Sequence, residues 1–205
     1  MSDVSLIISY FDEIIPDPVC ELNYNKDYEL LIAVMLSAQT TDKRVNMVTK
    51  ELFNKYNNLE ELANASLIDV INIVMPLGNY KKKAIAVIEI AKLLNSIYGG
   101  VVPNDREALE DLPMVGRKTC NVVLSELFNE PNIAVDTHVK RVSNRLGLSF
   151  SSNVLEIEND LKKIINKDKW SRFHHQVVLF GRYHCMAIKP KCDNCKLKNI
   201  CKKSN

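Results

Sequence analysis

Cys185, Cys192, Cys195 and Cys201 stand near the C-terminus in a C-x6-C-x2-C-x5-C pattern. Four thiolates this close in sequence can close on one metal centre with no ligand from the rest of the chain. Structural zinc usually shows paired C-x2-C knuckles, and here only Cys192 and Cys195 form one. The spacing therefore suits a single iron–sulfur cube better, with four-thiolate zinc as the alternative. A centre with four protein ligands has no open position for substrate, so bond-making chemistry must lie elsewhere. Lys189 and Lys191 fall in the loop between the first two cysteines, and a loop pinned at both ends presents them rigidly.

The run Leu112-Pro113-Met114-Val115-Gly116-Arg117-Lys118-Thr119 joins two helical patterns by a turn of a few residues. Gly116 offers backbone freedom and close approach for a phosphate or another backbone. The turn feeds a helix N-terminus, whose free N–H groups and positive dipole end suit an anion. A hairpin gripping a nucleic-acid phosphate and an ordinary helix–helix corner both fit. Lys118 lies in the first turn of that helix, where the dipole favours a neutral amine over an ammonium. A neutral lysine amine is a nucleophile able to form a Schiff base. Asp136, in Ala134-Val135-Asp136-Thr137-His138, is its candidate partner, and it also suits a helix N-cap. The two roles are compatible, since a cap fixes the carboxylate in place.

Helices must position all of these groups. Asp3 can cap a helix with an apolar face of Leu6, Ile7, Tyr10, Phe11 and Ile14, stopped by Pro16. Helical patterns follow over 28–36, from a Thr40 or Thr41 cap through Tyr56, from Ser66 to Pro76, over 81–98, 105–112, 117–128, 136–146, 153–165 and 170–183. No strand alternation of useful length appears. The softest boundary lies near Asn129–Asn132.

The chain of 205 residues is 46% hydrophobic with a net charge of +2, ordinary for a globular protein long enough to bury a core. Acidic residues crowd the first 30 positions and basic residues, Lys203 among them, crowd the end from Arg182 onward. A basic end suits a polyanion, or is a solvated tail. The first 16 residues lack a basic region, and no apolar run approaches membrane-spanning length. A cytoplasmic, membrane-free protein is expected, with reduced cysteines that fit a metal site better than disulfides. Cys20 and Cys120 read as buried small apolar residues.

With these residues in hand, the chain resembles the endonuclease III family, bifunctional DNA glycosylases of the helix–hairpin–helix superfamily. Four segments carry the resemblance in order: Met35-Leu36-Ser37-Ala38-Gln39-Thr40-Thr41-Asp42, Leu112–Leu124, Ile133–His138 and Cys185–Cys201. The resemblance implies an all-α, two-lobed fold. A six-helix barrel would span 20–130, with the helix–hairpin–helix at about 105–128. Residues 1–19 with 131–205 would form the other lobe, carrying a [4Fe–4S] cluster in the 185–201 loop. It implies a monomer acting on damaged double-stranded DNA, removing oxidised pyrimidines and cleaving abasic sites through a Lys118 Schiff base assisted by Asp136. Gln39 would fill the gap left by the everted nucleotide, and Asn79, Val115, Gly116, His138, Lys189 and Lys191 would contact DNA.

Three positions depart from the family pattern. Met114 replaces a hairpin glycine, and would be strained if that position needs φ > 0. Asn79 replaces an apolar wedge, for which Tyr80 or Leu77 could substitute. Cys120 replaces an alanine. The competing readings are an adenine mismatch glycosylase, which lacks a lysine at the position of Lys118, a non-catalytic DNA-damage or redox sensor, and an electron carrier.

Overall fold

The computed structural model describes residues 3–202, so Lys203 lies outside the described part. The helices are α1 (Asp3–Ile14), α2 (Asp27–Leu36), α3 (Asp42–Lys55), α4 (Leu59–Ala63), α5 (Leu67–Val74), α6 (Tyr80–Ile97), α7 (Arg106–Glu110), α8 (Arg117–Phe128), α9 (Thr137–Arg145), α10 (Val154–Ile164) and α11 (Trp170–Tyr183). Short 3₁₀ turns cover Lys167–Lys169, Cys192–Asn194 and Lys198–Ile200. No strand forms among the described residues. The chain divides into two compact units, Glu21–Phe128, and Met1–Cys20 together with Asn129–Asn205.

In the unit Glu21–Phe128, α2 is apolar on all sides from Leu30 onward, and every residue from Tyr28 to Leu36 is buried, Glu29 included. A helix hydrophobic all round belongs at the centre of a core, and α3, α6 and α8 pack against it. The long α6 lays Ala84, Val87, Ala91 and Leu94 along one stripe, and α4 and α5 pack on α6. The i, i+3, i+7 and i+10 spacing keeps these four on one face of a helix. The start of α4 is fixed by a reciprocal pair: Asn58 accepts from the Glu61 N–H at 2.8 Å while the Glu61 carboxylate accepts from the Asn57 N–H at 2.7 Å. This is a variant of the capping box in which the Glu61 carboxylate satisfies the N–H just before the N-cap, and the sequence patterns above did not include this helix. Asp105 caps α7 by accepting from the Ala108 N–H at 2.8 Å.

The other unit gathers both ends of the chain. Ile7, Tyr10 and Phe11 of α1 join Phe173, Val177 and Phe180 of α11 in one apolar cluster. The Phe11 ring lies 5.0 Å from that of Phe180 and 6.0 Å from that of Phe173. The apolar face of α1 is narrower than its sequence suggests, for Leu6 and Ile14 are exposed. Asp12 binds α1 to α11 by accepting from Gln176 Nε2 at 2.9 Å and Arg172 Nε at 3.1 Å. Both α1 and α9 pack on α11, and α10 packs on α9. Leu197, from the cysteine loop, is fully buried in the same cluster. Of the two outlying cysteines, Cys120 is buried as expected, whereas Cys20 is only half-buried.

Candidate active site and cysteine loop

The hairpin closes with Leu112 donating its N–H to the Leu109 carbonyl and Val115 donating to Leu112, both at 3.1 Å. Leu112 and Val115 are buried and anchor the turn from below. The Val115 side chain and N–H are thus both engaged within the protein. The left-handed residue of the turn is Met114, at φ 60°. The conformational freedom expected at Gly116 is instead demanded of Met114, whose side chain is exposed. Gly116 does leave open space, since a Cβ built there meets nothing within 4 Å.

Lys118 follows in the first turn of α8 and is half-buried. Its Nζ meets Ser37 Oγ at 3.5 Å, a long contact, while that hydroxyl donates to the Val34 carbonyl at 2.7 Å. Ser37 caps the C-terminus of α2 and opens the segment that carries Gln39. Gln39 is exposed and held at φ 55°. Beneath it lies Lys83, 1% exposed, whose ammonium donates to the carbonyls of Leu36 and Ala38, each at 2.8 Å, and to Thr40 Oγ1 at 3.1 Å. Burial lowers the Lys83 pKa. Asn79, also exposed and left-handed at φ 60°, precedes α6. Leu77 is buried and so is removed as a wedge; Tyr80 is half-buried.

In the other unit, the buried run Ile133–Val135 leads into Asp136, the N-cap of α9. Its Oδ1 accepts from the Val139 N–H at 2.8 Å, which fixes the carboxylate against its own helix. His138 is half-buried, and burial lowers its pKa. Arg141 Nη2 reaches His138 Nδ1 at 3.2 Å and the Gly181 carbonyl at 2.6 Å. Arginine can only donate, so Nδ1 accepts and the ring proton belongs on Nε2. The Nδ1 side of the ring expected to contact DNA is thus tied to its own helix.

Cys185, Cys192, Cys195 and Cys201 all line one pocket, with Leu146 and Phe180 among the apolar neighbours. None of the four is paired in a disulfide. Burial raises the Cys195 thiol pKa, and the other three cysteines raise it further. Four sulfur donors around one pocket that Leu146, Phe180, Pro190, His184, Lys191 and Lys198 complete, with no carboxylate lining it, fit a soft thiolate-bound centre. Among the described residues, no three His, Cys, Asp or Glu side chains are grouped as ligands of a single ion. The loop is held by α9: Arg145 donates to Cys185 Sγ at 3.3 Å and to the Met186 carbonyl at 2.8 Å, and Arg141 Nε donates to the Cys185 carbonyl at 3.2 Å. Lys189, at φ 51°, and Lys191 are both exposed on this loop.

The profile of HhH-GPD superfamily base excision DNA repair proteins matches residues 32–167. The endonuclease III of Bacillus subtilis (strain 168) is 42% identical over 203 residues, spanning 98% of this chain and 93% of its own. The chain belongs to the endonuclease III family. Its relative in Escherichia coli K12 is 42% identical over 186 residues, spanning 91% of this chain and 88% of its own. A solved endonuclease III trapped as a covalent intermediate with DNA is 43% identical, with a TM-score of 0.93 over 100% of this chain and 97% of that one. A thermostable thymine-DNA glycosylase, 24% identical with a TM-score of 0.84, shares the fold.

Within this endonuclease III framework, Lys118, Ser37 and the Gln39 loop come together in one unit, while Asp136, His138 and the four cysteines belong to the other. Three structural contributors escaped the sequence reading. Arg141 and Arg145 share one face of α9 at i, i+4 spacing, a signal that was present. Lys83 ends a Lys81-Lys82-Lys83 run that reads as a solvated charge patch. Its burial depends on partners more than 40 residues away.

Proposed function

We propose that this protein excises oxidised or ring-saturated pyrimidines from duplex DNA and then cuts the strand at the abasic site. As a family member it is a base-excision repair glycosylase and abasic-site lyase. The observation that carries the assignment of its nucleophile is the half-buried amine of Lys118, in the first turn of the hairpin helix and 3.5 Å from the Ser37 hydroxyl.

The damaged nucleotide is everted from the stack, at a cost of a few kcal/mol that is least for a poorly paired base. Gln39, projecting from its left-handed loop, fills the space left behind. Lys118 Nζ attacks C1′ as the C1′–N bond to the base breaks, and the departing base takes up a proton. Asp136, immobilised by its cap bond, stabilises the positive charge that develops at the sugar. Opening of the sugar ring gives the lysine iminium. Loss of a C2′ proton then expels the 3′ phosphate by β-elimination, and hydrolysis frees the amine. Gly116 leaves room for a backbone phosphate at the start of α8, and Lys189 and Lys191 add sequence-independent contacts.

The four cysteines hold a [4Fe–4S] cluster that cross-links the C-terminal loop; an absorption spectrum of the purified protein distinguishes it from zinc. Borohydride trapping on an abasic duplex tests the chemistry. Wild type is expected to form a covalent adduct and Lys118→Ala none. Absence of trapping by wild type, or undiminished trapping by Lys118→Ala, overturns the assignment.

A further inference from the structure

We infer that Lys83 is a positioning residue, which sets the Ser37–Thr40 loop so that Gln39 projects toward DNA and the Ser37 hydroxyl meets the Lys118 amine. The inference rests on the gap-filling role proposed for Gln39. Lys83 contacts no reacting group; it acts through the loop.

The loop has little else to hold it. Ser37 is tied back to α2 through its N–H to the Ala33 carbonyl at 3.0 Å and its hydroxyl to the Val34 carbonyl at 2.7 Å, but beyond it the loop's bonds are Thr40 N–H to the Ser37 carbonyl at 3.1 Å, Ala38 N–H to Met35 at a long 3.4 Å, and Thr40 Oγ1 to the Ala38 carbonyl at 3.3 Å. Gln39, at φ 55°, adopts a left-handed conformation that is strained for a residue with a Cβ. A strained residue persists only where its surroundings over-determine it. The Lys83 ammonium supplies that constraint, because its acceptors on Leu36, Ala38 and Thr40 bracket Gln39 on both sides.

Electrostatics make the arrangement specific. Leu36 ends α2, where unpaired carbonyls and the negative end of the helix dipole attract a cation. Three oxygens replace the water lost by the ammonium, and bonds from a charged donor are stronger than neutral ones. A buried cation also tolerates no sliding of the loop, since each displaced acceptor leaves a proton of the ammonium unsatisfied. The same residue donates its backbone N–H to the Asn79 carbonyl at 3.1 Å. That bond is the ordinary first-turn bond of α6 to its N-cap carbonyl, so the backbone of Lys83 sits at the helix start beside left-handed Asn79 while its side chain braces the loop that carries Gln39.

The test compares Lys83→Met, Gln39→Ala and the double variant of the full-length protein. Duplexes carry 2-aminopurine opposite either an abasic analogue or a ring-saturated pyrimidine. Base excision is followed in single turnover, and 2-aminopurine fluorescence reports filling of the gap. We expect each single variant to lose the fluorescence change and to slow excision at least about tenfold. The double variant should be no slower than the worse single one, because both act through one loop. Hydrogen exchange at Ala38–Thr40 should rise in Lys83→Met while that of α8 is unchanged. Should Lys83→Met fail to fold, Lys83→Gln is measured instead, with an intermediate loss expected. A normal fluorescence change and rate in the Lys83 variant, with Gln39→Ala defective, overturns the Lys83 inference alone; multiplicative losses in the double variant do the same. An unaffected Gln39→Ala overturns the gap-filling reading and the Lys83 inference with it.

Discussion

Met114 holds the hairpin turn at φ 60° with an exposed side chain, so it carries backbone strain with little packing to offset it. Glycine relieves about 1–2 kcal/mol of left-handed strain, less the extra freedom it gives the unfolded chain. Met114→Gly is therefore expected to stabilise the protein by about 0.5–1 kcal/mol, seen as a higher urea midpoint at unchanged slope. His138 supplies a pH-dependent term. Burial, and then the nearby Arg141 and Arg182, lower its folded pKa below the ordinary 6.5 against an opposing pull from Asp136. The unfolded chain then binds the proton more readily. The stability His138 contributes is complete above 6.5 and is lost as pH falls from there through the folded value. Denaturant midpoints measured from pH 8 to pH 5 should fall toward acid in wild type, and less steeply in His138→Gln. The site was unevenly legible at this scale. Asp136 reads as a cap from its neighbours alone, because capping is local. That Val115 turns inward while Gly116 faces open space was not legible, since it depends on which face of the turn meets α2 and α8.

Helix ends were the most readable part of the fold. Asp105, Asp136 and Asn153 each accept from N–H groups two or three positions ahead, as their residue types promise. Thr41 and Ser66 stand at cap positions without making a side-chain bond, so position alone set those boundaries. The short α4 was missed although Asn58 and Glu61 spell a capping box, because five residues carry too little periodicity to register. Contacts between helices were not legible, and Gly181 shows why. A Cβ at this residue of α11 would lie 2.9 Å from His138 Cβ and 3.1 Å from Val142 Cγ2, both on α9. These atoms cannot yield without moving the helix. Gly181→Ala is expected to cost about 1–3 kcal/mol by thrusting α9 away from α11. Because Asp136 caps α9, turnover on abasic DNA should drop further than the unfolded fraction explains; parallel thermal melts and lyase assays separate the two losses.

The two units differ in what holds them together. Glu21–Phe128 has at its centre α2, whose Leu30–Leu36 run is apolar and buried. The other unit recruits Leu197 from the cysteine loop into its core, and Arg145 and Arg141 grip that loop at Cys185. Loss of the proposed cluster should loosen this unit first. In Cys192→Ser, segment-resolved hydrogen exchange is expected to accelerate across 137–202 while amides of 30–36 stay protected. Single-turnover chemistry in the molecules that remain folded should change less than their abundance. The same unit draws α1 from one end of the chain and α11 from the other. On the ribosome, α1 emerges long before its partner, and at ordinary rates of synthesis the delay is on the order of ten seconds or more. Through that interval Ile7, Tyr10 and Phe11 lack the residues that will cover them, while the whole of Glu21–Phe128 has already been made. The nascent polypeptide therefore completes the Leu112–Thr119 hairpin before α1 finds a permanent seat, and α1 is left exposed to chaperones and proteases through that interval.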